Sequence, residues 1–96
     1  MRKDIPHAAQ IIQAAHATYE MGLRLKDKTL EKVAHFVLFE VKDEAHLEKI
    51  KNYLDANSVG MYTFYEPDYD MGYTAIACEP VYDERRKLFR KLKMWK

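Results

Sequence analysis

The stretch from Tyr65 to Pro80 reads YEPDYDMGYTAIACEP and has the pattern of a β-hairpin around an acidic loop. The aromatic run Met61 to Tyr65 predicts one strand, and the β-branched and small residues of Tyr73 to Glu79 predict the next. Because the link between them is short, the two strands are expected to be antiparallel. The loop Glu66 to Gly72 holds three acids at alternate positions, so it is either a solvated turn or part of a site.

Upstream of the hairpin, the sequence predicts two helices separated by a buried strand. Residues 6–25 form the first helix, with Asp4 as its cap, Pro6 in its first turn and an apolar stripe of Ala8, Ile11, Ile12, Ala15, Tyr19 and Leu23. Residues 26–32 are a polar connector. The run Val33 to Val41 is apolar on both faces, as expected for a covered strand. Asp43 caps the second helix, which Asn57 ends, and its inward residues are Leu47, Ile50 and Leu54.

Downstream of the hairpin, Pro80 ends the third strand and Asp83 caps a last helix, whose apolar seam is Leu88, Leu92 and Trp95. The element order α-β-α-β-β-α predicts a single α/β domain over residues 1–96, with a mixed sheet flanked by helices. The right-handed crossover rule makes the first two strands parallel. Residues 1–6, MRKDIP, are too short and polar for a convincing further strand, so three strands are expected.

Length and composition predict one small soluble protein. The chain has 96 residues, of which 48% are hydrophobic and 32% charged, a balance that excludes a disordered chain. Its single cysteine, Cys78, cannot form an internal disulfide and fits a reducing compartment. The sequence has neither a signal-peptide pattern nor a run of about 18 apolar residues. We therefore expect a cytoplasmic protein without a membrane partner, and a homodimer because small domains bury little surface alone.

Charge is distributed unevenly along the chain. The net charge is +1, but the last twelve residues carry seven Lys or Arg and no acid, which leaves −6 for residues 1–84. The basic segment is either a solvated helix face or a phosphate-facing surface, with Arg86 and Arg90 as the candidate phosphate ligands.

The segment Ala8 to Ala17, AAQIIQAAHA, precedes the VLFEV strand, the DEAHLEKI helix and the EPD…YTAIA hairpin. In this order the elements resemble the archaeal and eukaryotic type of peptidyl-tRNA hydrolase, the peptidyl-tRNA hydrolase 2 family. That family's first helix carries a pattern close to G-K-I-A-A-Q-C-A-H-A, which matches here at Gln13, Ala15, His16 and Ala17. The resemblance implies a homodimeric α/β fold and a crevice between the first helix and the loop after the penultimate strand. In the family, that crevice hydrolyses the ester joining a peptide to tRNA.

The resemblance also implies where the family's functional residues fall. The family's loop aspartate maps onto Glu66 or Asp68, and its threonine has a loose counterpart in Thr74. Its lysine falls on Ala9, and an alanine cannot stabilise a developing oxyanion. Small chains of this kind, with a trimmed first strand, look like family members found in phages, which would place the protein in the host cytoplasm.

The candidate site has several chemical interpretations. Clustered carboxylates repel, so one loop acid could have a raised pKa and act as a general base. The alternatives are that one carboxylate binds a hydroxyl such as that of a ribose, or that the loop is simply solvated. His16 and Gln13 lie one helical turn apart and are able to position an ester or read a base edge, or else His16 is a structural histidine. The loop departs from EF-hand spacing and the histidines from zinc-ligand spacing with Cys78, so we expect neither a metal nor a cofactor.

Three functions are compatible with these residues. The first is binding of a nucleotide-like, phosphate-containing ligand, for instance to sequester a host signal, by Gln13, His16, Glu66, Asp68, Thr74, Arg86 and Arg90. The second is hydrolysis of peptidyl-tRNA, with the tRNA 3′ end as partner and with His16 and Glu66 or Asp68 as catalytic residues. The third is a structural or protein-binding homodimer whose contact is the terminal seam. The missing lysine favours binding over catalysis.

Overall fold

A computed structural model describes residues 1–24 and 37–96. Its regular elements are α1 (His7–Arg24), β1 (Phe39–Glu40), α2 (Glu44–Ala56), β2 (Met61–Glu66), β3 (Gly72–Cys78) and β4 (Lys93–Met94). A 3₁₀ turn spans Asp68–Asp70 and a 3₁₀ helix spans Asp83–Phe89. No helix within these described ranges is long and apolar enough to cross a membrane.

The strands form two small antiparallel sheets in a mixed α/β arrangement. As predicted, β2 and β3 are antiparallel neighbours, whereas β1 pairs antiparallel with β4 at the end of the chain. The expected strand Val33 to Val41 is represented by β1 and a bridge at Val41, and its residues 33–36, like the connector 26–32, lie outside the described part. The predicted parallel pairing of the first two strands was therefore wrong for the residues described.

The N-terminal residues link the two sheets through an isolated bridge at Arg2 and, as predicted, add no strand. The expected number of three strands was wrong because β4 forms at the other end of the chain. On one side, Lys3 N–H donates to Val41 O at 2.8 Å and Val41 N–H donates to Met1 O at 2.8 Å, which makes a parallel bridge. On the other side, Arg2 N–H donates to Thr74 O at 3.3 Å. Buried Met1 anchors the segment, because its side chain belongs to the core between α1 and β3.

Helix α1 forms where it was predicted but buries a different face. Its buried side chains are Gln10, Gln13, Ala14, Ala17 and Met21, which pack toward β2 and β3. The apolar stripe lies on the opposite, exposed side, where Ile11 is 54% and Ile12 53% exposed. Small side chains and two glutamine amides let the helix approach the hairpin closely, so the buried face is the more polar one. The spacing of the large apolar residues therefore indicated the wrong face of α1.

Helix α2 follows its sequence prediction. The Asp43 carboxylate accepts a hydrogen bond of 2.9 Å from His46 N–H, and Asn57 closes the other end. Leu47 and Leu54 are buried and Ile50 is half-buried, as the spacing of the apolar side chains requires.

The predicted C-terminal α-helix is a 3₁₀ helix over Asp83–Phe89, and the chain then becomes extended in β4. The helix therefore stops before Leu92 and Trp95, and the expected apolar seam does not form. Trp95 instead packs on the core, where its indole N–H donates to Gln10 Oε1 at 2.8 Å and its ring stacks on His7 at 5.3 Å. The reason is the backbone pairing of β4 with β1, which Trp95 N–H extends by donating to Leu38 O at 2.9 Å.

Candidate functional site

Three polar side chains from three elements meet where α1 crosses the hairpin. Thr74 Oγ1 donates to Gln13 Oε1 at 2.8 Å, and Gln13 Nε2 donates to Glu66 Oε2 at 2.9 Å. Gln13 and Thr74 are buried, with 4% and 0% of their surfaces exposed, whereas Glu66 is half-buried at the edge. We call these three residues the Gln13 cluster; it forms a polar relay from the core to a surface carboxylate.

A β-bulge explains how Thr74 reaches this cluster. Phe64 pairs with Ala75 and Tyr65 pairs with Tyr73, which leaves Thr74 as the extra residue of β3. In a regular strand, neighbouring side chains point to opposite faces, and a bulge re-aims one of them. Thr74 and Ala75 are consequently both buried against α1, the first on Gln13 and the second among the core alanines.

The acidic loop is held in a constrained conformation beside the cluster. Tyr69 and Asp70 adopt the left-handed region, with φ of 57° and 53°, and Gly72 has φ of 71°. A Cβ at Gly72 would collide with the carboxylate of Glu44, which accepts Tyr73 N–H at 2.7 Å. Backbone of this kind persists only where its surroundings fix it, so the position of Glu66 at the start of the loop is set by several contacts.

Arg2 is the main cation behind the loop, and the sequence prediction missed it. Its guanidinium donates to the carbonyls of Met71 and Tyr73 and binds both carboxylate oxygens of Asp4, at 2.8 and 2.7 Å. Arg2 is only 9% exposed, so it is committed to these partners and ties the N-terminal segment to the loop. No motif indicated this role; an isolated arginine in a short polar segment gives no signal of burial.

The carboxylate of Glu66 is stabilised in its charged form. The hydrogen bond from the Gln13 amide, the N–H of Asp68 at 3.2 Å and the charge of nearby His16 together lower the pKa of Glu66 below its ordinary value. The expected raised pKa is therefore wrong for Glu66, while a catalytic role of Glu66 or Asp68 stays a prediction. An anion that accepts hydrogen bonds but attracts protons weakly suits hydroxyl binding better than proton abstraction.

The other predicted residues have distinct positions. His16 is exposed beside Glu66, and its ring lies 5.1 Å from that of Phe64 on β2. The backbone N–H of Asp68 donates a hydrogen bond to the Glu66 carboxylate, and Asp68 itself is exposed. Ala9, where the family has its lysine, packs partly buried against the core. The structure thus brings Gln13, His16, Glu66 and Thr74 together, with Asp68 at their margin.

The tyrosines around the loop do not join this group. Tyr65 and Tyr73 make an edge-to-face pair with ring centroids 5.1 Å apart, and both are exposed. Because strand side chains alternate, Tyr65 points to the face opposite Phe64 and Glu66. The rings next to the Gln13 cluster are those of His16 and, in contact with it, Phe64.

Arg86 and Arg90 also lie elsewhere. Both line a cavity of about 590 Å³ whose lining includes none of the predicted residues of α1 or the acidic loop. Cys78 lines the same cavity; burial, and secondarily the charge of Glu79, raises the pKa of its thiol to about 11, so it is not a thiolate nucleophile at neutral pH. Among the described residues, no group of three or more His, Cys, Asp or Glu side chains is arranged to hold a metal ion.

Comparisons of the chain with protein-family models, with curated proteins and with solved structures found no match. The class that the structure defines is thus a small α/β protein with a buried polar relay opening on a surface carboxylate.

Proposed function

We propose that this chain is a divergent relative of the peptidyl-tRNA hydrolase 2 family that binds a nucleotide-like ligand through the Gln13 cluster. Glu66 accepts the hydroxyl groups of the ligand, and the exposed imidazole of His16 contacts its base. The observation that carries the proposal is the hydrogen-bonded chain from Thr74 through Gln13 to Glu66, which fixes an ionised carboxylate at the surface. Capture without turnover would let such a protein sequester a nucleotide signal.

Binding is favoured over hydrolysis by two features. The lowered pKa of Glu66 makes it a poor general base for water, and the family's charge-stabilising lysine is replaced by Ala9. Removing one preorganised donor from an oxyanion site costs a factor of about 10² to 10³ in rate. A binding site for a ribose-like diol needs only the fixed acceptor that Glu66 provides.

The phosphate groups of the ligand are expected to lie outside the Gln13 cluster. The sequence suggested Arg86 and Arg90 for this contact, but the two arginines line a separate cavity. We therefore restrict the proposal to recognition of the hydroxyls and the base, and expect phosphates to add little affinity.

A thermal-shift and calorimetric series tests the proposal. Adenosine, AMP, cyclic AMP and 2′-deoxyadenosine are titrated into the protein. The three compounds that keep the 2′-hydroxyl should raise the melting temperature of the protein more than 2′-deoxyadenosine, which lacks it. A ligand at 100 times its dissociation constant stabilises the native state by about 2.7 kcal/mol. If the ribonucleosides of all four common bases leave the melting temperature of the protein unchanged, the proposal is contradicted.

The matched variants are Glu66→Gln and Asp70→Asn. Glu66→Gln removes the charged acceptor and should weaken ribonucleoside binding at least tenfold. Asp70 is an acid of the same loop in the left-handed conformation, which asparagine also tolerates, so Asp70→Asn should bind normally. If the wild type releases peptide from peptidyl-tRNA and Glu66→Gln abolishes this release, the function is hydrolysis rather than binding.

A homodimer is a second candidate function, favoured by the exposed side of α1. Ile11, Ile12, Tyr19 and Leu23 are each between 46% and 67% exposed along one helix. Monomeric soluble proteins rarely expose a continuous apolar face, which makes α1 a better candidate contact than the C-terminal residues. In analytical ultracentrifugation, Ile12→Lys should shift a wild-type dimer to monomer, while Lys51→Glu on exposed α2 should not; a monomeric wild type would contradict this function.

A further inference from the structure

The cavity lined by Arg86 and Arg90 has the composition of a site for an amphipathic ligand. It lies between α1, α2, β3 and the segment that follows β3, and its volume of about 590 Å³ suits a small organic molecule. Most of its lining is apolar and comes from all of these elements, including Ala17, Met21, Leu47, Leu54, Ala77 and Phe89. Such a lining favours an aliphatic chain over a polar ligand.

The two arginines give the cavity its charge. Arg86 and Arg90 are four positions apart, and neither guanidinium makes an ion pair or a hydrogen bond with another side chain or carbonyl of the described residues. Their neighbours differ: Arg85 pairs with Glu79 at 3.5 Å, and Lys87 pairs with Glu84. Arg86 and Arg90 are therefore unpaired cations of this segment that line the apolar cavity.

The acidic residue in the lining does not neutralise them. Glu79 also lines the cavity, but its Oε1 accepts Gly60 N–H at 3.0 Å and binds Arg85. The cavity thus combines an apolar interior with net positive charge from two guanidinium groups, a donor geometry suited to carboxylate and phosphate oxygens.

We propose that this cavity binds an anion with an apolar tail, of which a medium-chain fatty acid is the simplest example. The tail occupies the apolar interior, and Arg86 and Arg90 hold the head group. This site is separate from the Gln13 cluster, whose residues do not line the cavity, so either site can fail without the other.

Calorimetric titration of the intact protein with sodium laurate, below its micelle concentration, tests the proposal. Laurate should bind saturably, dodecanol and acetate should bind at least tenfold more weakly, and dodecyl phosphate in parallel identifies which head group is preferred. Arg86→Ala/Arg90→Ala should weaken laurate binding at least tenfold, whereas Lys91→Ala, an exposed cation of the same segment outside the lining, should not.

Cys78 provides an independent measurement because this residue is part of the cavity lining. Laurate should slow alkylation of Cys78 by iodoacetamide in the wild type and much less in the double variant. Since both arginines are exposed and their guanidinium groups make no ion pair or hydrogen bond with the described residues, the double variant should keep the wild-type circular dichroism. Absence of saturable laurate binding, or equal affinity in the double variant, would overturn the proposal.

Discussion

Thr74 and Gln13, 61 positions apart in the chain, are joined by a buried hydrogen bond of 2.8 Å between hydroxyl and side-chain amide. This bond fixes the orientation of the amide, whose nitrogen then faces Glu66. The surface carboxylate is therefore positioned from inside the core. The functional proposal depends on this relay, and several of its physical consequences are measurable without knowing the ligand.

Thr74→Val should lower the free energy of unfolding by about 1–2 kcal/mol, because it leaves the buried carbonyl oxygen of Gln13 without its donor. Urea unfolding followed by circular dichroism measures the loss. Thr63→Val, at a half-buried position of β2, is the matched control and should cost less than about 0.5 kcal/mol. Equal stabilities of the two variants would argue against the bond.

Two glycines should respond to alanine with opposite signs. Gly72→Ala places a side chain at φ of 71° against Glu44 and should destabilise the protein by about 1–2 kcal/mol. Gly22→Ala lies in α1 with open space around the new methyl group, so it should stabilise by about 0.5–1 kcal/mol. Denaturation midpoints that shift in the same direction would contradict the loop conformation.

Arg2→Ala should cost about 2–4 kcal/mol, because it removes the donor to two loop carbonyls and leaves Asp4 without its partner. The melting temperature gives the measurement, and Lys51→Ala on the exposed surface of α2 should leave it unchanged. A near-neutral Arg2→Ala variant would show that the guanidinium does not tie the N-terminal segment to the acidic loop.

Acid titration should report the Gln13–Glu66 bond. The folded pKa of Glu66 is depressed, so its stabilising effect is complete above its ordinary pKa of 4.5 and is lost as pH falls through the lower folded value. Carboxyl NMR should give a Glu66 midpoint below 4.5, and Gln13→Ala should raise it. Asp4, whose pKa is lowered chiefly by its hydrogen bond with Arg2, should keep its depressed midpoint in Gln13→Ala and so serves as the control. An equal Glu66 midpoint in the wild type and in Gln13→Ala would contradict the hydrogen bond between Gln13 and Glu66.

The sequence predicted the elements whose signals are local. The position of helix α1, the Asp43 cap and the β2–β3 hairpin all depend on neighbouring residues, and the structure confirms them. The exposed side of α1 was the apolar one because close packing of alanines, rather than hydrophobicity, decides which side faces the hairpin.

The remaining features depend on long-range pairing that no local pattern encodes. Arg2 lies between Val41 and Thr74 because of backbone hydrogen bonds, and β4 exists because β1 offers it an edge. The candidate residues Gln13, Glu66 and Thr74 came from the family resemblance, whereas the bulge that unites them did not. Arg86 and Arg90 were grouped with these residues by charge alone. Their position in the sequence gave no information about how far they lie from Gln13 and Glu66 in space.

The most direct test of the central claim uses the side-chain amide signals of the two glutamines in a ¹H–¹⁵N NMR spectrum titrated with adenosine. Gln13 donates to Glu66, while Gln10 donates to Ile5 O at 2.9 Å and is an internal control in the same helix. Saturating ligand should shift the Gln13 amide and leave the Gln10 amide in place. A ligand that binds while the Gln13 signals stay unchanged would contradict the account.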